Sequence, residues 1–160
     1  MVSRRPNHRS RQRGFSLIEL LIVIAIILLI LSFAVPKMQK MQMNARETGA
    51  IQALQTIKTA ETQYMSQFGQ FATSLSQLGP PSTGAAEGPQ AADLIPEDLA
   101  SGSKAGYNYT IAGTPTGYSV SAVPQTFNST GRRTFYTDQN GIVRQNWSAE
   151  PATEKSEQVK

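Results

Sequence analysis

The chain shows a sharp change from polar to apolar residues near its N-terminus. A polar stub with several arginines ends at Gly14, and an apolar run follows from Phe15 to Val35. Only Ser16, Glu19 and Ser32 interrupt this run. About 20 apolar residues, each rising about 1.5 Å along a helix, match the roughly 30 Å hydrocarbon core of a bilayer. The pattern therefore predicts a helix, over residues 15–36, that is able to span a membrane.

A second helical pattern follows Pro36 over residues 37–68. Apolar residues recur there at spacings of three and four, which places them on one face of a helix. They are Ala50, Leu54, Ile57, Ala60, Tyr64 and Phe68. We expect one helix from about Phe15 to Phe68, apolar all round in its first half and amphipathic in its second. Pro36 lacks an amide hydrogen and is expected to kink this helix.

Residues 69–105 predict a surface connector between the helix and a sheet. Ser74-Leu75-Ser76-Gln77 has the pattern of a capping box and predicts a short helical turn. Pro96-Glu97-Asp98-Leu99 predicts another, with proline at its first position. Between them, residues 82–92 are rich in Gly, Ala, Pro and Ser, which favours a mobile loop.

Residues 106–147 predict an antiparallel sheet. Apolar and polar residues alternate over 107–111 and 118–122, and two shorter strands are expected at Phe135-Tyr136 and Ile142-Val143. Turn residues separate these segments at 113–117 and 138–141. The expected fold is α+β: a four-stranded antiparallel meander that packs one face on the amphipathic half of the helix. Residues 148–160 are polar and charged, and we expect a flexible tail.

The positive charge of the chain is concentrated ahead of the apolar run. The chain has 15 basic and 11 acidic residues, and five of the basic ones precede Gly14. They are Arg4, Arg5, Arg9, Arg11 and Arg13. Without residues 1–14, ten basic side chains remain against 11 acidic ones, which leaves a net charge of −1. This distribution argues against nucleic-acid binding and favours a cytoplasmic N-terminus, since basic residues flank membrane spans on that side.

The residues of the chain offer little material for catalysis. It has no cysteine, and its one histidine, His8, lies ahead of Gly14. Beyond Gly14, thiol chemistry, histidine-based proton transfer and ordinary zinc sites are therefore excluded. Asp138-Gln139-Asn140-Gly141 shares features with a calcium loop, but a hairpin turn accounts for it. We expect no enzyme activity, no cofactor and no metal.

Two charged pairs remain outside the apolar run. Glu97-Asp98 is expected to lie in a solvated turn. Arg132-Arg133 is expected on a loop, where it makes a surface contact or bonds to a neighbouring subunit. Neither pair predicts a catalytic site.

The segment Arg13-Gly14-Phe15-Ser16-Leu17-Ile18-Glu19-Leu20-Leu21 resembles the processing motif of type IV pilins and pseudopilins. The resemblance implies that a prepilin peptidase cuts between Gly14 and Phe15 and methylates the new amino group of Phe15. Residues 1–14 are then a leader, and Glu19 becomes the fifth residue of the mature chain. Pro36 also lies where these proteins commonly have a helix-kinking proline. Residues 20–35 lack the glycine that often precedes that proline in the family.

Glu19 is the residue of the apolar run that most needs a partner. A lone carboxylate buried among Leu, Ile and Val costs several kcal/mol or takes up a proton. Cleavage creates a candidate partner in the amino group of Phe15. The resemblance implies that Glu19 of one subunit meets the Phe15 amine of another, so that charge neutralisation sets their register. We therefore expect Glu19 to act in assembly.

The function expected from this resemblance is that of a type IV pilin-like structural subunit. The implied partners are the prepilin peptidase, other copies of the chain, minor pilins, an inner-membrane assembly platform and the lipid bilayer. The implied location is the inner membrane before assembly and a surface filament afterwards. Two alternatives stay open: a pseudopilin of a type II secretion system and a membrane-tethered binding module that never polymerises. The Asp-Pro-Trp-Gly-Asn-Pro-Tyr stretch of major pseudopilins does not occur in the chain.

Overall fold

The computed structural model describes residues 14–114 and 116–160. The predicted leader, residues 1–14, lies outside the described residues except for Gly14. The chain divides into two compact units, one ending at Met38 and the other comprising Gln39–Lys160. The first helix, α1, spans Leu17–Phe68 and contributes to both units. It begins two residues later than predicted and ends where predicted, and Pro36 lies inside it.

The first unit consists of the apolar part of α1. This helix is long and apolar enough to cross a membrane, and the mean hydropathy of its most apolar 18-residue window is 3.1. None of that window is buried by the rest of the protein. The prediction of a long N-terminal helix is thus confirmed, and the apolar side chains in its first part are exposed.

The second unit contains a six-stranded antiparallel sheet with its strands in sequence order. The strands are β1 Ser103–Lys104, β2 Tyr107–Thr114, β3 Gly117–Pro124, β4 Thr134–Asp138, β5 Arg144–Asn146 and β6 Glu157–Gln158. In the centre of the sheet, Tyr109 pairs with Ala122, and Phe135 pairs with both Ala122 and Gln145. The α+β class and the antiparallel meander are therefore confirmed.

The sheet has six strands rather than the predicted four. The two additional strands, β1 and β6, have two residues each and lie at opposite edges. Two residues are too short to produce an alternating pattern, so no sequence signal marks them. The predicted strand at Ile142-Val143 is also wrong, because the strand starts at Arg144. The expected tail contributes β6, which pairs with β5.

The predicted apolar stripe of α1 forms one side of the core of the second unit. Most of the predicted face is buried: Ala50, Leu54, Ile57, Ala60 and Tyr64. The sheet contributes side chains to the same cluster: Tyr107, Tyr109, Tyr118, Val120, Ala122 and Phe135. Phe68 is only partly buried against this cluster, and its ring centroid lies 4.7 Å from that of Tyr64. The predicted packing of the stripe on the sheet is confirmed.

The connector between α1 and the sheet contributes side chains to the apolar core. It contains two short helices, α2 at Leu75–Leu78 and α3 at Glu97–Ala100. The backbone N–H of Ser74 donates to Gln77 Oε1 at 3.2 Å, which is one of the two bonds of the predicted capping box. Leu78 and Leu99 are buried in the core. Both predicted helical turns are therefore present, and they cover part of the apolar cluster.

Candidate processing and assembly site

The site begins just ahead of α1. Gly14, Phe15 and Ser16 are not helical, and the Phe15 side chain is 90% exposed. The carbonyl of Ser16 accepts the Leu20 N–H at 3.2 Å, which makes Ser16 the residue that caps the start of the helix. The peptide bond between Gly14 and Phe15 thus lies on open, non-helical chain.

Glu19 binds the start of its own helix. The backbone N–H of Ser16 donates to Glu19 Oε2 at 2.9 Å. This bond satisfies a donor that has no partner within the helix, as in one half of a capping box. A carboxylate in the first turn is also favoured by the positive end of the helix dipole. In the uncut chain the Glu19 carboxylate therefore accepts a hydrogen bond from Ser16. The nitrogen of Phe15 is still part of a peptide bond there, so it carries no charge with which Glu19 could pair.

The described residues do not crowd the glycine at position 14. A Cβ placed on Gly14 would meet none of their atoms within 4 Å, and the backbone of Gly14 is not in the left-handed region. Gly49, by comparison, faces Ala105 Cβ at 3.9 Å. Within the described residues, Gly14 therefore has neither a crowded side-chain position nor a left-handed backbone.

The apolar side chains of α1 form a continuous exposed surface between Leu17 and Val35. The one hydroxyl in its distal part, that of Ser32, donates to the Leu29 carbonyl at 2.7 Å and is satisfied inside the helix. Soluble proteins rarely leave an apolar surface of this extent in water. The surface therefore suits contact with lipid or with other apolar helices.

Arg132 and Arg133 bond within the chain, which corrects their predicted role as surface or intersubunit contacts. The guanidinium Nε of Arg133 donates to Glu47 Oε2 at 2.8 Å, and the backbone N–H of Arg132 donates to Glu47 Oε1 at 2.8 Å. Glu47 is fully buried, although its charge predicts an exposed position on α1. Sequence spacing does contain a signal, because positions 47 and 61 continue the buried stripe of α1 at steps of three and four. The apolar pattern did not include these positions because both residues are charged.

The two other segments considered for chemistry form turns. At the β4–β5 connection, the Gly141 N–H donates to the Asp138 carbonyl at 2.8 Å, and the φ of Gly141 is +73°. In α3, Asp98 pairs with Lys104 at 3.0 Å, and the hydrogen bond from Lys104 lowers the pKa of this carboxyl. Over residues 14–114 and 116–160, no three acidic or histidine side chains are grouped as a metal site would require.

Comparison with known proteins identifies the segment around Gly14. The family model of the prokaryotic N-terminal methylation motif matches residues 9–35. The chain carries this methylation motif. No curated protein matches the chain. The motif and the apolar helix are consistent with a type IV pilin or pseudopilin, with a prepilin leader and with anchoring in a membrane. A motif of this kind is typical of structural subunits.

Proposed function

We propose that this pilin-like chain is a type IV pilin subunit that is cleaved, methylated and assembled into a filament. The observation that carries this proposal is the methylation motif at residues 9–35, which lies on the accessible start of an otherwise uncovered apolar helix. Processing by a prepilin peptidase and assembly with other pilins follow from the motif. The compact unit from Gln39 to Lys160 then forms the head of the subunit.

In the first step a prepilin peptidase cuts between Gly14 and Phe15 and methylates the Phe15 amine. The exposed, non-helical backbone at both residues supports this step, because a protease binds its substrate in an extended form. The open space around Gly14 supports a requirement set by the enzyme. Cleavage removes the five arginines of the leader and leaves the whole apolar run on the mature subunit.

In the second step Glu19 pairs with the Phe15 amino group of an adjacent subunit. The Ser16 N–H occupies one oxygen of Glu19, Oε2, so the other oxygen is available for a cation. When apolar helices pack together, an unpaired ammonium in their interior costs several kcal/mol. Position 19 lies four residues after position 15 in every subunit. Glu19 of one subunit therefore meets the Phe15 ammonium of its neighbour only when the two helices are shifted along their axes by one particular distance. The pairing therefore sets the register of the filament.

The test combines mass spectrometry with fractionation of cells. The native protein is expected to start at a methylated Phe15, and the protein is expected in filaments sheared from the cell surface. Intact Met1 on surface material would overturn the proposal. A methylated Phe15 on protein that stays in the membrane fraction would indicate a tethered module, and recovery only in a secretion pseudopilus would indicate a pseudopilin.

A further inference from the structure

Glu61 is a buried carboxylate of the head that is only half satisfied. Its side chain is 0% exposed, and its Oε2 accepts the Ala72 N–H at 2.9 Å. Its Oε1 is buried and has no hydrogen-bond partner in the described part of the chain. Glu47, the other buried carboxylate of α1, has hydrogen bonds from Arg132 and Arg133 on its two oxygens. The two acids therefore have opposite electrostatic surroundings.

The ionisable groups that face Glu61 offer it no positive charge. Tyr64 faces it from α1 and Tyr118 from β3; burial raises the pKa of both phenols, and the charge of Glu61 raises them further. Asp138 acts on Tyr118 in the same direction. Within residues 14–114 and 116–160, no lysine or arginine forms a salt bridge with Glu61. The segment 69–73 that covers Glu61 carries no ionisable side chain. A negative charge on Glu61 is thus uncompensated.

The segment 69–73 is held between α1 and the end of β2. Gly69, with φ at +72°, turns the chain back after α1. The ring of Phe71 lies 5.2 Å from that of Tyr118, and Ala72 is fully buried. On its other side the segment lies against Gly113, where an added Cβ would clash with the Ala72 carbonyl oxygen. The Ala72 N–H bond to Glu61 is therefore one of the polar contacts that join this segment to the helix, together with the Gly69 N–H bond to the Met65 carbonyl.

We propose that Glu61 and residues 69–73 form a pH-sensitive latch, in which the neutral carboxyl keeps the segment closed on α1 and the charged carboxylate loosens it. A neutral acid is tolerated in this apolar site at moderate cost, whereas an ion with a bare oxygen is not. Opening of the segment admits water to the bare oxygen and relieves that cost. The segment precedes α2, so opening exposes the edge of the core beneath the connector.

The direction of the pH dependence follows from the two states of Glu61. Burial raises the pKa of Glu61 to about 7 in the closed state, in spite of the opposing hydrogen bond from Ala72. In the open state the carboxyl is solvated and has its ordinary pKa of 4.5. The closed form binds the extra proton, so the latch is strongest below the lower pKa and weakens as pH rises to the higher one. The opening constant is expected to increase on the order of 10- to 100-fold from about pH 5 to pH 8.5.

Hydrogen exchange of the full-length chain in detergent micelles tests the latch. Protection of peptides covering residues 69–73, corrected for the intrinsic pH dependence of exchange, is expected to fall on the order of 10- to 100-fold over that pH range. Glu61→Gln stays neutral and retains an acceptor for the Ala72 N–H, so its protection is expected to be independent of pH. Glu97→Gln, which changes an exposed carboxylate of α3, is the matched control and is expected to behave like wild type.

Two results would overturn the latch. The first is the same pH dependence of protection at residues 69–73 in wild type and in Glu61→Gln. The second is a carbon-13 NMR titration of the wild-type Glu61 carboxyl with a midpoint at its ordinary value rather than near neutrality. This titration uses the unaltered chain, so it decides the question even if Glu61→Gln does not fold.

Discussion

The Glu47 carboxylate lies 2.8 Å from the Nε of Arg133, a residue 86 positions further along the chain. The same guanidinium donates to Gln145 Oε1 at 2.7 Å and lies 5.0 Å from the centre of the Trp147 ring. The adjoining Arg132 N–H donates to Glu47 as well. One carboxylate therefore joins α1 to the start of β4 and, through Arg133, to β5. This makes Glu47 the main polar link between the helix and the far half of the sheet.

Glu47→Ala is expected to destabilise the head by about 3–5 kcal/mol, because it leaves the Arg133 charge and the Arg132 N–H without their buried partner. Denaturant unfolding followed by circular dichroism measures this change. Lys104→Ala is the control, since it breaks the solvent-exposed pair with Asp98 and is expected to leave the free energy of unfolding nearly unchanged. Equal losses of stability in the two variants would contradict the predicted contribution of the Glu47–Arg133 pair to the stability of the head.

Tyr64 is expected to contribute more stability than its neighbour Phe68, which is only partly buried. Tyr64→Ala removes a fully buried ring and is expected to cost about 3–5 kcal/mol. Tyr64→Phe removes only the hydroxyl, which donates to the Pro89 carbonyl at 2.6 Å, and is expected to cost about 1 kcal/mol. Both Tyr64 variants lose the hydrogen bond to Pro89, so limited proteolysis should cleave their 82–92 loop faster than that of the wild type. Met65→Ala, at an exposed site, is the control and should leave cleavage unchanged.

Gly131→Ala is expected to destabilise the head through one contact. A Cβ at position 131 would clash with the Tyr107 hydroxyl, which donates to the Arg133 carbonyl at 2.9 Å. The ring must move, and overpacking of this kind costs about 1–3 kcal/mol. Gly88→Ala is the matched control, because a Cβ there meets nothing within 4 Å. Thermal melting compares the two variants, and identical midpoints would contradict the predicted contact.

The spacing of apolar residues predicted those helices and strands in which the pattern recurs over several helical turns or several strand residues. The stripe of α1 and the alternation in β2 and β3 belong to this class, because burial of one face imposes a regular pattern. The buried face of α1 also includes Glu47 and Glu61, two charged residues that the apolar pattern did not include. Burial of Glu47 depends on Arg133, a partner that only the tertiary fold brings close. Strands β1 and β6 were missed because two residues carry no period.

The candidate site was predictable to a different degree. The motif around Gly14 is local in sequence, so it was recognised without a structure and matches the family model. The hydrogen bond between Ser16 and Glu19 was not predicted, although Ser at the cap and Glu three residues later is a capping-box pattern. The bond matters because it gives Glu19 a local role besides the one proposed in assembly, and a substitution must separate the two.

Gly14→Val is expected to block processing without affecting the fold. Among the described residues, no atom lies within 4 Å of a Cβ at position 14, so a larger side chain is expected to be accommodated there. If the peptidase requires close approach to the backbone, the uncut precursor should accumulate in the membrane. Immunoblotting detects the precursor by its larger mass. Gly49→Ala, at a helical site with ordinary contact to Ala105, is expected to be cut normally. Efficient cleavage of Gly14→Val would contradict this prediction.

Glu19→Val is expected to be cut and inserted normally but to enter filaments poorly. A membrane tether has no use for a carboxylate in its apolar run, so Val should insert at least as well as Glu. A filament subunit has such a use, because the Phe15 amine of a neighbour needs a counter-charge in the packed interior. The ratio of protein in the sheared fraction to protein in the membrane fraction measures assembly. Partial rescue by co-expressed wild-type subunits is expected, since each contact needs one carboxylate and one amine.

Glu19→Gln separates the two functions of Glu19. The glutamine amide oxygen can still accept the Ser16 N–H, so the start of α1 keeps its hydrogen bond, whereas the negative charge is lost. If charge pairing between subunits drives assembly, Gln should fail almost as completely as Val. If Gln assembles like wild type while Val does not, then the helix cap is the essential role of Glu19. If both variants reach the sheared fraction like wild type, Glu19 takes no part in docking, and the proposed assembly mechanism is wrong.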